Sequence, residues 1–133
     1  RYFRYYVPFS GSLYWGNRTM VNQYGHDNPS WTAQVLDTAI AAQGYTAEDF
    51  YVLALTGTKD FAYRTVNMQI EDMKRHPDMF RYDSDEVNGN FTLLLAENEE
   101  HDYHAKRLYI FNALPMISQM IAKRDLYSCI NIY

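Results

Sequence analysis

The chain has only one cysteine, Cys129, in 133 residues, so it can form no internal disulfide and offers no thiolate cluster for a metal. It also lacks a long apolar run. None approaches the roughly 20 residues that cross a bilayer, and no membrane partner is expected. Basic charge is not in excess either. With 12 Lys and Arg against 16 Asp and Glu, and the signs interspersed, there is no electropositive face of the kind nucleic acid requires. The N-terminus has none of the charged, apolar and small-residue order of a signal peptide. It starts at Arg1 rather than Met, inside the aromatic stretch Arg1-Tyr2-Phe3-Arg4-Tyr5-Tyr6, which reads as the approach to a buried strand. The expectation is a piece of a longer protein whose location, secreted or cytoplasmic, stays open.

The 47% hydrophobic content is ample for one core. The 13 tyrosines and 2 tryptophans suit either ordinary core packing or a surface that stacks on sugars and aromatic ligands. Three units follow one another, each an apolar strand-like run, a turn and a helical pattern, which implies a parallel sheet with crossover helices. The first strand is Tyr5 to Phe9, ending in Ser10-Gly11-Ser12, with Pro8 marking a strand end or edge. After a polar loop, a helix capped at Ser30 carries Trp31, Val35, Leu36, Ala39 and Ile40 and should end at Gly44. Thr46-Ala47-Glu48-Asp49 is a capping-type turn leading into the second strand, Phe50 to Leu55.

A second helix takes in Val66, Met68, Ile70 and Met73 and stops before Pro77. The third strand, Phe91 to Ala96, is apolar enough to be buried on both faces. The last helix runs from about His104 past Leu108, Phe111, Leu114 and Ile117, with a kink or break expected at Pro115. The tail from Lys123 to Tyr133 shows no strong pattern and is expected to pack poorly.

In an open parallel sheet the active site forms where loops leave the carboxyl ends of the strands. Asp60 and His101 both lie just past such ends, and one helix and one returning strand fit between them. An aspartate there can fix the histidine tautomer and stabilise the imidazolium that forms when the other ring nitrogen takes a nucleophile's proton. Acid before histidine, each at a strand end, is the order of the second and third members of the Ser, Asp, His triad in α/β-hydrolases. The pair His101 and His104 with Asp102 makes a poor metal site, because no third convergent ligand accompanies it. No metal or other cofactor is expected.

Several short motifs together resemble the bacterial esterase D-like proteins, which include the feruloyl esterase modules of carbohydrate esterase family 1. They are Val7-Pro8-Phe9-Ser10-Gly11-Ser12, Leu55 to Tyr63 with Gly57-Thr58-Lys59-Asp60 at its centre, Asn88-Gly89-Asn90-Phe91, Glu100-His101-Asp102 and Tyr109 to Pro115. The resemblance implies a three-layer α/β sandwich, here a partial α/β-hydrolase fold over residues 1–133. Asp60 is then the triad acid, His101 the triad base, and the substrate a carboxylic ester such as acylated plant polysaccharide. It also implies a Gly-x-Ser-x-Gly nucleophile elbow upstream. No such motif occurs in the chain, so the expectation is the C-terminal part of a hydrolase domain whose nucleophile-bearing N-terminal half lies elsewhere.

Ser10 and Trp15 follow the first strand's carboxyl end and are candidates for lining the substrate pocket. Two rival readings are a non-catalytic fragment and a carbohydrate-binding or interaction module using the aromatic loop around Tyr14 and Trp15. A sheet missing half its strands should also expose the edge of its first strand, so pairing with another copy or with the absent half is expected.

Overall fold

The run Tyr51–Gly57 forms the middle strand of a parallel sheet, because its β-rich residues are buried on both sides. The computed structural model describes residues 3–11 and 29–130, with the side chains of 29–31 and 125–130 left aside. In chain order the elements are β1 (Tyr5–Tyr6), α1 (Pro29–Ala42), a 3-10 turn (Ala47–Asp49), β2 (Tyr51–Gly57), α2 (Tyr63–Met73), β3 (Phe91–Ala96) and α3 (Tyr103–Ile130). The sheet order is β1-β2-β3, both pairings parallel, with Tyr5 beside Tyr51 and Leu55 beside Leu94. Helices therefore carry the chain from each strand to the next, as the alternating pattern predicts.

Side chains of β2 alternate between two helical layers. Val52 and Ala54 face α1 and α2, joining Ala33, Leu36, Ile40, Val66, Ile70 and Met73. Tyr51, Leu53 and Leu55 face α3, joining Ala105, Tyr109, Ala113 and Met120. The result is three layers, helix on sheet on helix, and an α/β class.

Local chemistry sets the element ends. Gly44 adopts φ 73 and closes α1, with the Tyr45 N–H bonded to the Ile40 carbonyl. α1 begins at Pro29 rather than after a Ser30 cap, a first-turn position where the missing proline N–H costs nothing. The Thr46 turn is a full capping box with Asp49, as its sequence suggests.

Three expectations are corrected. β3 is buried on both faces only at its start, and Leu95 is 43% exposed. α3 is unbroken at Pro115 and continues through the tail to Ile130. The face that α3 buries is Ala105, Tyr109, Ala113 and Met120, while Phe111 and Leu114 are 77% and 61% exposed. Two alanines, Ala105 and Ala113, flank Tyr109 on this stripe and let the helix lie close against the sheet while the phenol ring is buried, which the differently phased Phe111 and Leu114 do not match.

Candidate active site

β2 and β3 end side by side, with Gly57 paired to Ala96, so the loops that leave them start as neighbours. The Thr58 N–H bonds the Ala96 carbonyl at 3.0 Å and the Lys59 N–H bonds the Glu99 carbonyl at 3.1 Å. Thr58 Oγ1 accepts the Asn98 N–H at 2.9 Å. Asn98 takes the left-handed conformation, φ 63, that its side chain tolerates and that turns the loop back. Asp102 then accepts the Ala105 N–H at 2.8 Å and starts α3, so His101 is held between a tied loop and a capped helix.

These loops bring Asp60 and His101 together. His101 Nδ1 lies 3.1 Å from both carboxylate oxygens of Asp60. The Asp60 side chain is wholly buried, while that of His101 keeps 29% exposure; with Nδ1 on the acid, the opposite ring nitrogen, Nε2, points away from it. Asp60 is anchored within its own turn, where the Ala62 N–H donates to Oδ1 at 2.7 Å. The Phe61 ring packs on the imidazole with 4.4 Å between centroids and limits how the imidazole can turn.

Ser10 joins the same cluster, donating its hydroxyl proton to Asp60 Oδ2 at 2.5 Å. The sequence places Ser10 near substrate, whereas its hydroxyl is occupied by the acid. That contact needs φ 49 at Ser10, a conformation that costs a non-glycine residue about 1–3 kcal/mol, and nothing in the sequence announces it. Trp15 lies outside the described residues. Tyr109 of α3 packs against Phe9, the residue before Ser10, with 5.8 Å between ring centroids, and burial pushes its phenol above the usual range. The Tyr109 hydroxyl makes no well-aligned hydrogen bond among the described residues.

Sequence reasoning missed two buried polar anchors. Asn90 donates to the carbonyls of Ala47 and Met79 at 3.0 and 2.8 Å and accepts the Arg81 N–H at 2.7 Å. Asp72 of α2 accepts the Ala33 N–H near the start of α1 at 2.9 Å. The signal for Asn90 was its place in the Asn88-Gly89-Asn90-Phe91 motif. For Asp72 there was none beyond an acid on the apolar side of a helix. Among the described residues no three metal-ligating side chains converge, and no helix is long and apolar enough to cross a membrane.

No family model matches the chain. The endo-1,4-beta-xylanase Y of Acetivibrio thermocellus is 36% identical over 114 residues, which is 86% of this chain and 10% of the xylanase. Among solved structures, the feruloyl esterase module from Clostridium thermocellum, as a serine-to-alanine mutant complexed with sinapinate, superposes with a TM-score of 0.72 at 36% identity. A second structure, of FAE, gives the same TM-score and identity. Each match covers 86% of this chain and 37% of the solved chain, so the chain spans well under half of the structures it resembles. Sequence and fold agree that this chain is feruloyl esterase-like, with an α/β fold of the α/β-hydrolase kind.

Proposed function

We propose that the chain supplies the acid and the base of a serine carboxylic ester hydrolase acting on feruloyl-type esters of plant polysaccharide. Asp60 is the acid, His101 the base, and the serine comes from polypeptide outside these 133 residues, in the N-terminal half of the same domain. The observation that carries this reading is the buried Asp60 carboxylate against Nδ1 of His101 at the ends of adjacent parallel strands. The feruloyl esterase module among the matches supports the choice of substrate class.

In this mechanism Asp60 holds the Nδ1 proton, which leaves the Nε2 lone pair facing away from the acid. Nε2 takes the proton of the serine hydroxyl as its oxygen attacks the ester carbonyl, and the imidazolium that forms is stabilised by the Asp60 charge. The same proton then passes to the alcohol oxygen as the acyl-enzyme forms. Water repeats the cycle and releases the acid. Phe61, tilted 37° against the imidazole, limits the turning of the ring that carries the proton.

The test compares this chain alone with a polypeptide that joins it to its upstream sequence, using ferulate release from an aryl feruloyl ester. The longer protein should turn over, and Asp60→Asn or His101→Ala should each remove several powers of ten, on the order of 10³ or more, because a triad works as a unit. The chain alone should stay at background. Turnover by the chain alone that is blocked by a serine reagent would sink the proposal. An inactive longer protein would favour the non-catalytic reading.

A further inference from the structure

Ser10 stands where three elements meet. Its backbone is pinned to β2 from both sides, through the Ser10 N–H on the Leu55 carbonyl at 2.8 Å and the Leu55 N–H on the Pro8 carbonyl at 3.0 Å. Phe9 bridges Leu55 in between. This grip holds Ser10 at φ 49, a conformation an unrestrained serine rarely adopts.

The Asp60 carboxylate then receives fixed donors from two directions. The Ala62 N–H reaches Oδ1 from its own loop, and the Ser10 hydroxyl reaches Oδ2 from the β1 side. Two donors on different oxygens define the plane of a carboxylate. With Ala62 alone, the group could still rotate about its last bond and present either oxygen, or neither, to Nδ1. A hydroxyl has one proton to give, and that of Ser10 goes to Asp60. Ser10 therefore has no donor left for a substrate.

We propose that Ser10 is a positioning residue: held in a left-handed conformation by β2, it locks the Asp60 carboxylate in the plane that receives the Nδ1 proton of His101. The inference rests on the reading of Asp60 and His101 as acid and base, and it reassigns Ser10 from the substrate pocket to the support of the acid. Asp60 is thereby held by the segment that follows β1 as well as by its own loop, and the geometry of the pair depends on how that segment is tied to β2 at Leu55.

Proton and nitrogen NMR of this chain tests it, reading the Nδ1 proton of His101 at neutral pH. The unmodified chain should show His101 as the Nδ1–H form with a slowly exchanging low-field proton. Ser10→Gly keeps the backbone conformation without strain and removes only the hydroxyl. The proton should broaden or vanish while the thermal midpoint holds or rises. Ser10→Thr retains a hydroxyl and should retain the resonance, though with a lower midpoint from backbone strain. An unchanged resonance in Ser10→Gly overturns the inference. So does its loss in both variants, since position 10 would then serve backbone packing only. If the unmodified chain shows no Nδ1 proton, or one indifferent to Asp60→Asn, the acid–base pairing itself fails, a result distinct from failure at Ser10 alone.

Discussion

Gly57 and Glu99 meet backbone to backbone at the carboxyl end of the sheet, where a Cβ on Gly57 would stand 2.1 Å from the Glu99 carbonyl oxygen. No side chain fits that gap, and the obstacle is main chain, which cannot swing aside. The contact matters because Glu99 is two residues from His101 and Gly57 is three from Asp60. Gly57→Ala should force the two loops apart, cost about 2–4 kcal/mol in denaturant unfolding, and abolish the Nδ1 proton of His101. Gly44 is the control. It has open space around its α-carbon but φ 73, so Gly44→Ala should cost only about 1 kcal/mol and leave the resonance intact. Equal effects of the two changes would show that Gly57 is a turn residue and nothing more.

Asn90 predicts a second cost of a different kind. It satisfies two carbonyls and one N–H from two segments, the turn at Ala47 and the stretch from Met79 to Arg81, and it is itself buried. Asn90→Ala strands all three groups, and an unsatisfied buried group costs about 1–3 kcal/mol, so urea unfolding should register a loss of about 2–4 kcal/mol after partial relaxation. Asn90→Asp keeps the shape but turns a donor into an acceptor that faces two carbonyls. It should be no better than alanine. A near-neutral aspartate variant would mean that water already reaches this site.

The strand–helix alternation, the Gly44 stop, the capping box at Thr46 and the nearness of Asp60 to His101 could all be read from local patterns. Each depends on residues adjacent in sequence or on the rule that parallel neighbours end together. The buried face of α3 could not be read this way. Apolar residues surround that helix, and only tertiary packing decides between the Ala105, Tyr109, Ala113 stripe and the Phe111, Leu114 stripe. Pro115 misled for a related reason. It lies on the exposed side of α3, as does Phe111, whose carbonyl it leaves without a donor and which water can satisfy. The Ser10 to Asp60 bond was hidden because it spans 50 residues and needs a left-handed serine.

The outer edge of β1 predicts association with a second copy of the chain. Among the described residues only β2 pairs with β1, leaving its other backbone edge without a strand. Beside that edge lies an apolar cavity of about 370 Å³ lined by Phe3, Tyr6, Pro8, Leu36, Ile40 and Met73 among others. Light scattering over a dilution series should give a mass above the monomer that falls with concentration. Tyr6→Lys, which puts a charge on the edge, should shift the series toward monomer. A sharp monomer mass at every concentration in the unmodified chain would show that the edge is protected.

Alkaline pH should unfold the chain through its buried phenols. Tyr51 donates its hydroxyl proton to the Asp83 carbonyl at 2.7 Å. Burial pushes its pKa well above the ordinary 10.0, with the acids Asp83, Glu86 and Asp85 adding to the rise. Burial raises Tyr109 as well, and Tyr5 is raised by burial and by its hydrogen bond to Glu86. Each folded phenol holds its proton more tightly than the unfolded one. Their contribution is therefore fully present below pH 10 and is lost as pH rises from 10 toward the folded values, at up to about 1.4 kcal/mol per pH unit for each phenol. Urea midpoints measured between pH 8 and 11 should be flat with respect to these groups at first and fall steeply past pH 10, with ultraviolet absorbance of tyrosinate rising in step with unfolding. Tyr51→Phe should lower stability at pH 8, where the bond to Asp83 is lost, yet flatten the alkaline slope. A fall of the same steepness in that variant would assign the alkaline transition to groups other than Tyr51.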